Sequence, residues 1–197
     1  NGRSDYKIVA EKKYEKAANY INKHIKAATG CSLSVKTDEK CDLSAGKYII
    51  MGDSALLQSY GITMPEKSVL KSAGYYIKTI SDDVFIGFYT ENGAQLAAIA
   101  FLRETLGFDM LADDLVLYEK DGTVLPQMDI TERPDYEFRL ANNKLREDEA
   151  YGMGFTTVNT LFNTKPSGAV HNLYDFFTSE EFAAHPDWFS AGAVKGS

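Results

Sequence analysis

The run from Asn92 to Gly107, NGAQLAAIAFLRETLG, constrains the fold more than any other part of this chain. Its periodicity predicts a helix, yet Leu96, Ile99, Ala100, Phe101, Leu102 and Leu106 make it apolar on more than one side. A helix of that kind needs apolar partners around most of its circumference, so it must lie between layers. Asn92 is placed to cap its start, with Gln95 three residues on, and Gly107 to end it. A second helix is predicted upstream, where Tyr14, Ala17, Ala18, Ile21, Ile25 and Ala28 recur at three- and four-residue steps and Gly30 follows. His24 lies within it and reads as a surface residue.

Between and beyond the helices lie β-rich runs. Ile8-Val9, Leu33 to Val35 and Lys47 to Met51 (KYIIM) read as strands, and Ser54 to Tyr60 as a short helix capped by Ser54 or Asp53. Tyr75 to Ile80 and Val84 to Phe88 flank Ser81-Asp82-Asp83, a hairpin signal. Leu115 to Tyr118 and Thr123 to Leu125 flank Lys120-Asp121-Gly122, which suggests another. Helices laid on a mixed, partly antiparallel sheet bury both apolar faces, so the expected class is α+β, a two-layer α/β sandwich. The polar stretch Thr131-Glu132-Arg133-Pro134-Asp135 contains a helix-breaking proline and is taken as a domain boundary. Residues 1–133 then form the first domain and 134–197 the start of another. In that second part, Tyr136 to Leu140 and Thr156 to Phe162 read as strands, and Glu147 to Met153 and Ser179 to Ala184 as helices.

With 197 residues, the chain has room for one full domain or one plus a fragment, and its 44% hydrophobic content allows a sizeable core. The net charge of -7 argues against nucleic acid, whose phosphates need an excess of Lys and Arg, and against anionic lipid. No run approaches the roughly 18 apolar residues of a membrane span. Asn1 to Asp5 has no apolar signal core, which is expected of a cytoplasmic or already processed chain. Cys31 and Cys41 lack the spacing of a zinc site and flank a segment that a disulfide could close; two unpaired thiols is the other reading.

No GxSxG elbow, phosphate loop or HExxH is present, so no cofactor and no metal are expected. Glycosidases need two carboxyl groups across the scissile bond. Asp82-Asp83, Asp113-Asp114 and Glu180-Glu181 are pairs, but turn and helix-start chemistry accounts for each. Trp188, next to Phe189, reads either as a sugar-stacking ring or as a packing aromatic after Pro186-Asp187.

The order of these elements resembles a known family. A helix ends at Ile25-Lys26-Ala27-Ala28-Thr29-Gly30, a YIIMG strand follows at Tyr48 to Gly52, then GYYIKTISDDVFIGFYTENGAQLAAIAFLRETLGFDML at Gly74 to Leu111, then ERPDYEFR at Glu132 to Arg139. This resembles the domain before the barrel in alpha-glucuronidases and the second domain of bacterial beta-hexosaminidases. It is also similar to the bacterial family called domain of unknown function 4838. The tail Val170 to Ser190 resembles a segment of that family with an HPE-aromatic-F phrase, here HPDWF with Asp187 in place of Glu.

The resemblance implies a secreted, cell-surface or periplasmic protein whose first domain is a non-catalytic accessory to a glycoside-hydrolase-type barrel. A barrel needs about 250 residues, so this chain would hold only the opening fragment of a (β/α) barrel. Its catalytic carboxylates would then lie beyond Ser197, and the carbohydrate partner would bind through the downstream barrel. By position in the family, Arg139 and His171 are candidate sugar-contacting residues, and Trp188 joins them as a ring able to stack on a sugar. Leu140-Ala141-Asn142-Asn143 departs from the hexosaminidase pattern and favours an ion-pairing role for Arg139. The alternative is a stand-alone carbohydrate-binding or cell-surface interaction module. The oligomeric state, the sugar and the linkage are not encoded in any motif.

Overall fold

The computed structural model describes residues 3–37, 47–52, 57–58, 60–112, 114–122, 124–136, 139, 147–155, 179–185 and 187. The chain divides into two compact units, Asn1–Thr156 and Thr157–Ser197. The polar stretch around Pro134 lies inside the first of them. In the second, the described structure is the short helix Ser179–Ala184 with His185 and Asp187 beyond it. The strand expectations for Tyr136 to Leu140 and Thr156 to Phe162 fall largely or wholly outside the described residues.

The first unit is built on a six-stranded mixed sheet, which bears out the α+β class. Its strands are β1 (Tyr6–Ala10), β2 (Ser34–Thr37), β3 (Lys47–Met51), β4 (Tyr75–Ile80), β5 (Asp83–Phe88) and, out of chain order, a final strand Asp129–Glu132. The order across the sheet is β2-β1-β3-β5-β4 and then Asp129–Glu132. The first four neighbours run parallel and the rest antiparallel. The β4–β5 hairpin forms as expected, with Ser81 taking a positive φ of 56° at its turn.

Side chains alternate between the two faces of each strand, as the pleat requires. Ile8, Ile49, Met51, Ile77, Ile86 and Phe88 point to one face. There they meet two long helices, α1 (Glu15–Thr29) and α3 (Glu91–Leu106), which also pack on each other. Both end at a glycine in the left-handed region, Gly30 at φ 74° and Gly107 at φ 59°. Val9, Tyr48, Ile50, Tyr76 and Phe85 point to the opposite face, where Leu57, Ile62 and Leu70 cover them. Leu70 closes the one-turn helix α2 (Lys67–Leu70). The sheet is therefore buried on both faces, which explains why KYIIM reads as an unbroken apolar run.

Three local expectations change. The cap of α3 is Thr90, whose hydroxyl accepts from the Gly93 backbone N–H at 3.1 Å, so the helix starts at Glu91 and Asn92 lies inside it. Leu115–Tyr118 (β7) pairs with Phe108–Ala112 (β6) in a separate two-stranded hairpin, not with the residues after Gly122. Asp129–Glu132 (β8) is a strand where the polar composition read as boundary. The short helix expected at Ser54 to Tyr60 is described at Leu57 and Gln58, which are helical, and at Tyr60, which is in a turn.

Candidate functional site

The chain after Pro134 returns to the two long helices and is clasped there. Glu147–Gly152 forms a helix, α4, as expected. It ends with the Phe155 N–H donating to the Ala150 carbonyl at 2.8 Å and the Gly154 N–H to the Tyr151 carbonyl at 3.0 Å. That pair of bonds, with Gly154 at φ 78°, is the helix stop that glycine makes possible.

Two side chains then fix this stop to α3. Gln95 is buried, and its amide nitrogen donates to the Tyr151 carbonyl at 2.8 Å and to the Phe155 carbonyl at 3.0 Å. Arg139 donates from Nε to the Gly154 carbonyl at 2.7 Å, from Nη1 to the Tyr136 carbonyl at 2.7 Å, and from Nη2 to the Asn92 amide oxygen at 3.1 Å. Partial burial holds the guanidinium below its usual pKa. The expected sugar-contacting residue thus spends three of its five donors on its own chain. Its role here is to join the start of α3 to the segment that leaves the sheet. Arg139 also borders a hollow of about 390 Å³ with Tyr75, Leu96, Arg103, Glu132 and Met153.

An aromatic cluster holds the other side of α4. The Tyr151 ring lies 4.7 Å from that of Tyr20 on α1, and Lys16 Nζ sits 5.1 Å from the Tyr151 centroid. Lys23 pairs with Asp148 at 2.8 Å. His24, expected on the surface, is instead 3% exposed. Its ring lies tilted at 4.4 Å from that of Tyr20 and meets that of Phe108 edge-on at 4.7 Å, and it shares a 2.7 Å hydrogen bond between Nδ1 and the Tyr118 hydroxyl. Its Nε2 and the Tyr20 hydroxyl are buried without a hydrogen-bond partner among the described residues. Burial drives the His24 pKa down to about 4 and pushes those of Tyr20 and Tyr151 up.

Sequence reasoning missed Gln95 as a fastening residue, although it singled out its position. A buried amide in an otherwise apolar helix is the signal that was available, because such a group must find partners. Replacing it tests the clasp. Gln95→Leu leaves the Phe155 carbonyl without its amide donor, and a cost of about 1–3 kcal/mol is expected. Hydrogen exchange should show the loss concentrated in residues 147–155, with the sheet protected as before.

Of the other candidates, His171 and Trp188 lie outside the described residues. Cys31 is buried below the end of α1, and Cys41 is outside the described residues, so their pairing is not described. The acidic pair in the β4–β5 turn is engaged in the sheet. Asp83 accepts from the Tyr48 N–H at 2.8 Å, and Asp82 pairs with Lys47 at 3.0 Å. Among the described residues, no group of three or more His, Cys, Asp and Glu is placed to hold a metal ion. No described helix is long and apolar enough to cross a membrane. No protein-family model matches the chain, and no curated protein matches it.

Proposed function

We propose that the first unit is a non-catalytic accessory domain that supports a glycoside-hydrolase-type barrel located after it in the parent protein. The barrel would act on a polysaccharide or glycan, outside the cell, with catalytic carboxylates beyond Ser197. The observation that carries this reading is the clasp. Gln95 and Arg139, from opposite sides of the expected boundary, spend their donors on fixing the onward chain to α3. A domain whose work is to brace its neighbour needs that kind of rigid exit. The mixed sheet with both long helices on one face also agrees with the element order behind the resemblance.

The intact mass of the native gene product tests this. A mass tens of kilodaltons above 21.9 kDa is expected, since a barrel adds about 250 residues. A mature product near 21.9 kDa would sink the accessory reading and leave the stand-alone carbohydrate-binding module. In the longer product, Arg139→Ala should loosen residues 147–155 in hydrogen exchange. A sugar contact would instead raise KM with exchange unchanged.

A further inference from the structure

A hollow of about 340 Å³ opens beside Cys31, where α1, α3 and the sheet meet. Ile25, Leu33, Ile49, Phe101, Leu106 and Leu125 supply its apolar wall. Two threonines also line it, but their hydroxyls are already engaged. Thr29 donates to the Ile25 carbonyl at 2.7 Å and accepts from the Cys31 N–H at 3.0 Å. Thr105 donates to the Phe101 carbonyl at 2.7 Å. Those bonds commit the O–H donors of both threonines to the chain itself, and the Tyr6 hydroxyl, also in the lining, donates to the Asp82 carbonyl at 2.8 Å. A polar group pressed against the apolar wall would lose its water without replacement. Arg3 and Asp121, of opposite sign, also border the hollow, with Ser4 beside Arg3, so its charged rim selects for neither a cation nor an anion.

We propose that this hollow is a binding site for a small, uncharged, apolar ring molecule. Size fits that class. An apolar cavity of about 150 Å³ is enough to take benzene, and ligand pockets begin at about 300 Å³. A bicyclic aromatic is the natural occupant, and a sugar, with hydroxyls around its ring, is not. The site is separate from the clasp and independent of the accessory-domain reading.

Indole is the probe. In a thermal-unfolding titration of the full chain, millimolar indole should raise the midpoint by several degrees, because a ligand of the folded state stabilises it by mass action. Glucose at the same concentration should not. Leu125→Trp places an indole ring of its own at the wall. That variant should keep the native circular dichroism and lose the indole-dependent shift. Should it fail to fold, Leu125→Phe offers the smaller block, with a reduced shift expected. Absence of a shift in the unaltered chain, an equal shift in the blocked variant, or an equal shift with glucose would each overturn the site.

Discussion

Phe88→Ala is expected to cost about 3–5 kcal/mol of folding stability. The side chain is fully buried at the end of β5, between the sheet and the helices. Its ring meets Tyr14 edge-on at a centroid distance of 4.6 Å. Gly93, in the first turn of α3, packs so closely that an added Cβ would lie 3.0 Å from the Phe88 Cβ. Truncation therefore empties a space bounded by a strand, a helix backbone and a second ring. The helix cannot move in to fill it without breaking the Thr90 cap. Urea unfolding should show a lower midpoint with an unchanged slope, which separates lost stability from an altered unfolded state. Val124→Ala, at a side chain 75% exposed, is the control and should stay within about 0.5 kcal/mol. Equal effects at the two positions would mean that the layers are not packed as described.

The second large effect is on acid stability. His24 has a folded pKa near 4, against 6.5 for the free side chain. Desolvation is the main cause, Lys23 adds to it, and Asp148 opposes it. The unfolded chain therefore binds this proton more readily than the folded one. The contribution is fully present above about pH 6.5 and is lost as pH falls toward 4, amounting to about 3 kcal/mol at most. Tyr20 and Lys23 from α1, Phe108 from β6, Tyr118 from β7 and Asp148 from α4 act on the ring, and Tyr151 of α4 packs on Tyr20. None of them except Asp148 carries a negative charge at that pH. His24→Phe keeps a flat ring in the cluster and removes the proton site. Its stability should change much less than that of the unaltered chain between pH 6.5 and 4. Parallel pH curves for the two proteins would show that His24 does not stay neutral in the fold.

Periodicity was informative where one face of an element is buried. The face of α1 was legible because apolar residues recur at helical spacing, whereas β3 was legible as an unbroken apolar run and the β4–β5 hairpin from Ser81-Asp82-Asp83 between two β-rich runs. His24 was legible too and was misread. It lies three residues after Ile21 and seven after Ala17, on the apolar face, and its ionisable ring drew attention from its position. β8 was hidden because DITE is an edge strand in which only Ile130 is even partly covered. β6 begins directly after the Gly107 helix stop with no turn residue between, and the sequence reading places no element at Phe108–Ala112. The cover on the second face of the sheet was hidden for another reason. Leu57 and Leu70 lie in short helical stretches and Ile62 in the irregular segment between them, too few residues for a period to show. Of the clasp, Arg139 reads in sequence as a sugar contact or, more in keeping with the residues after it, as a structural ion pair, and it donates to the Gly154 and Tyr136 carbonyls. Its true partners, Gly154 and Asn92, are brought together only by the tertiary fold.

The two outer strands of the sheet bear on how the protein behaves at high concentration. Each is four residues long, SVKT at one margin, where exposed and partly covered residues alternate, and DITE at the other, where all but Ile130 are exposed. Short, charged margins offer a poor template for strand addition by a neighbouring molecule. The β6–β7 hairpin differs, because Leu111, Leu115 and Leu117 are 50%, 48% and 40% exposed. Aggregation of the folded unit should therefore begin on the hairpin's leucine face, and charged substitutions there should raise solubility more than any made along the sheet margins.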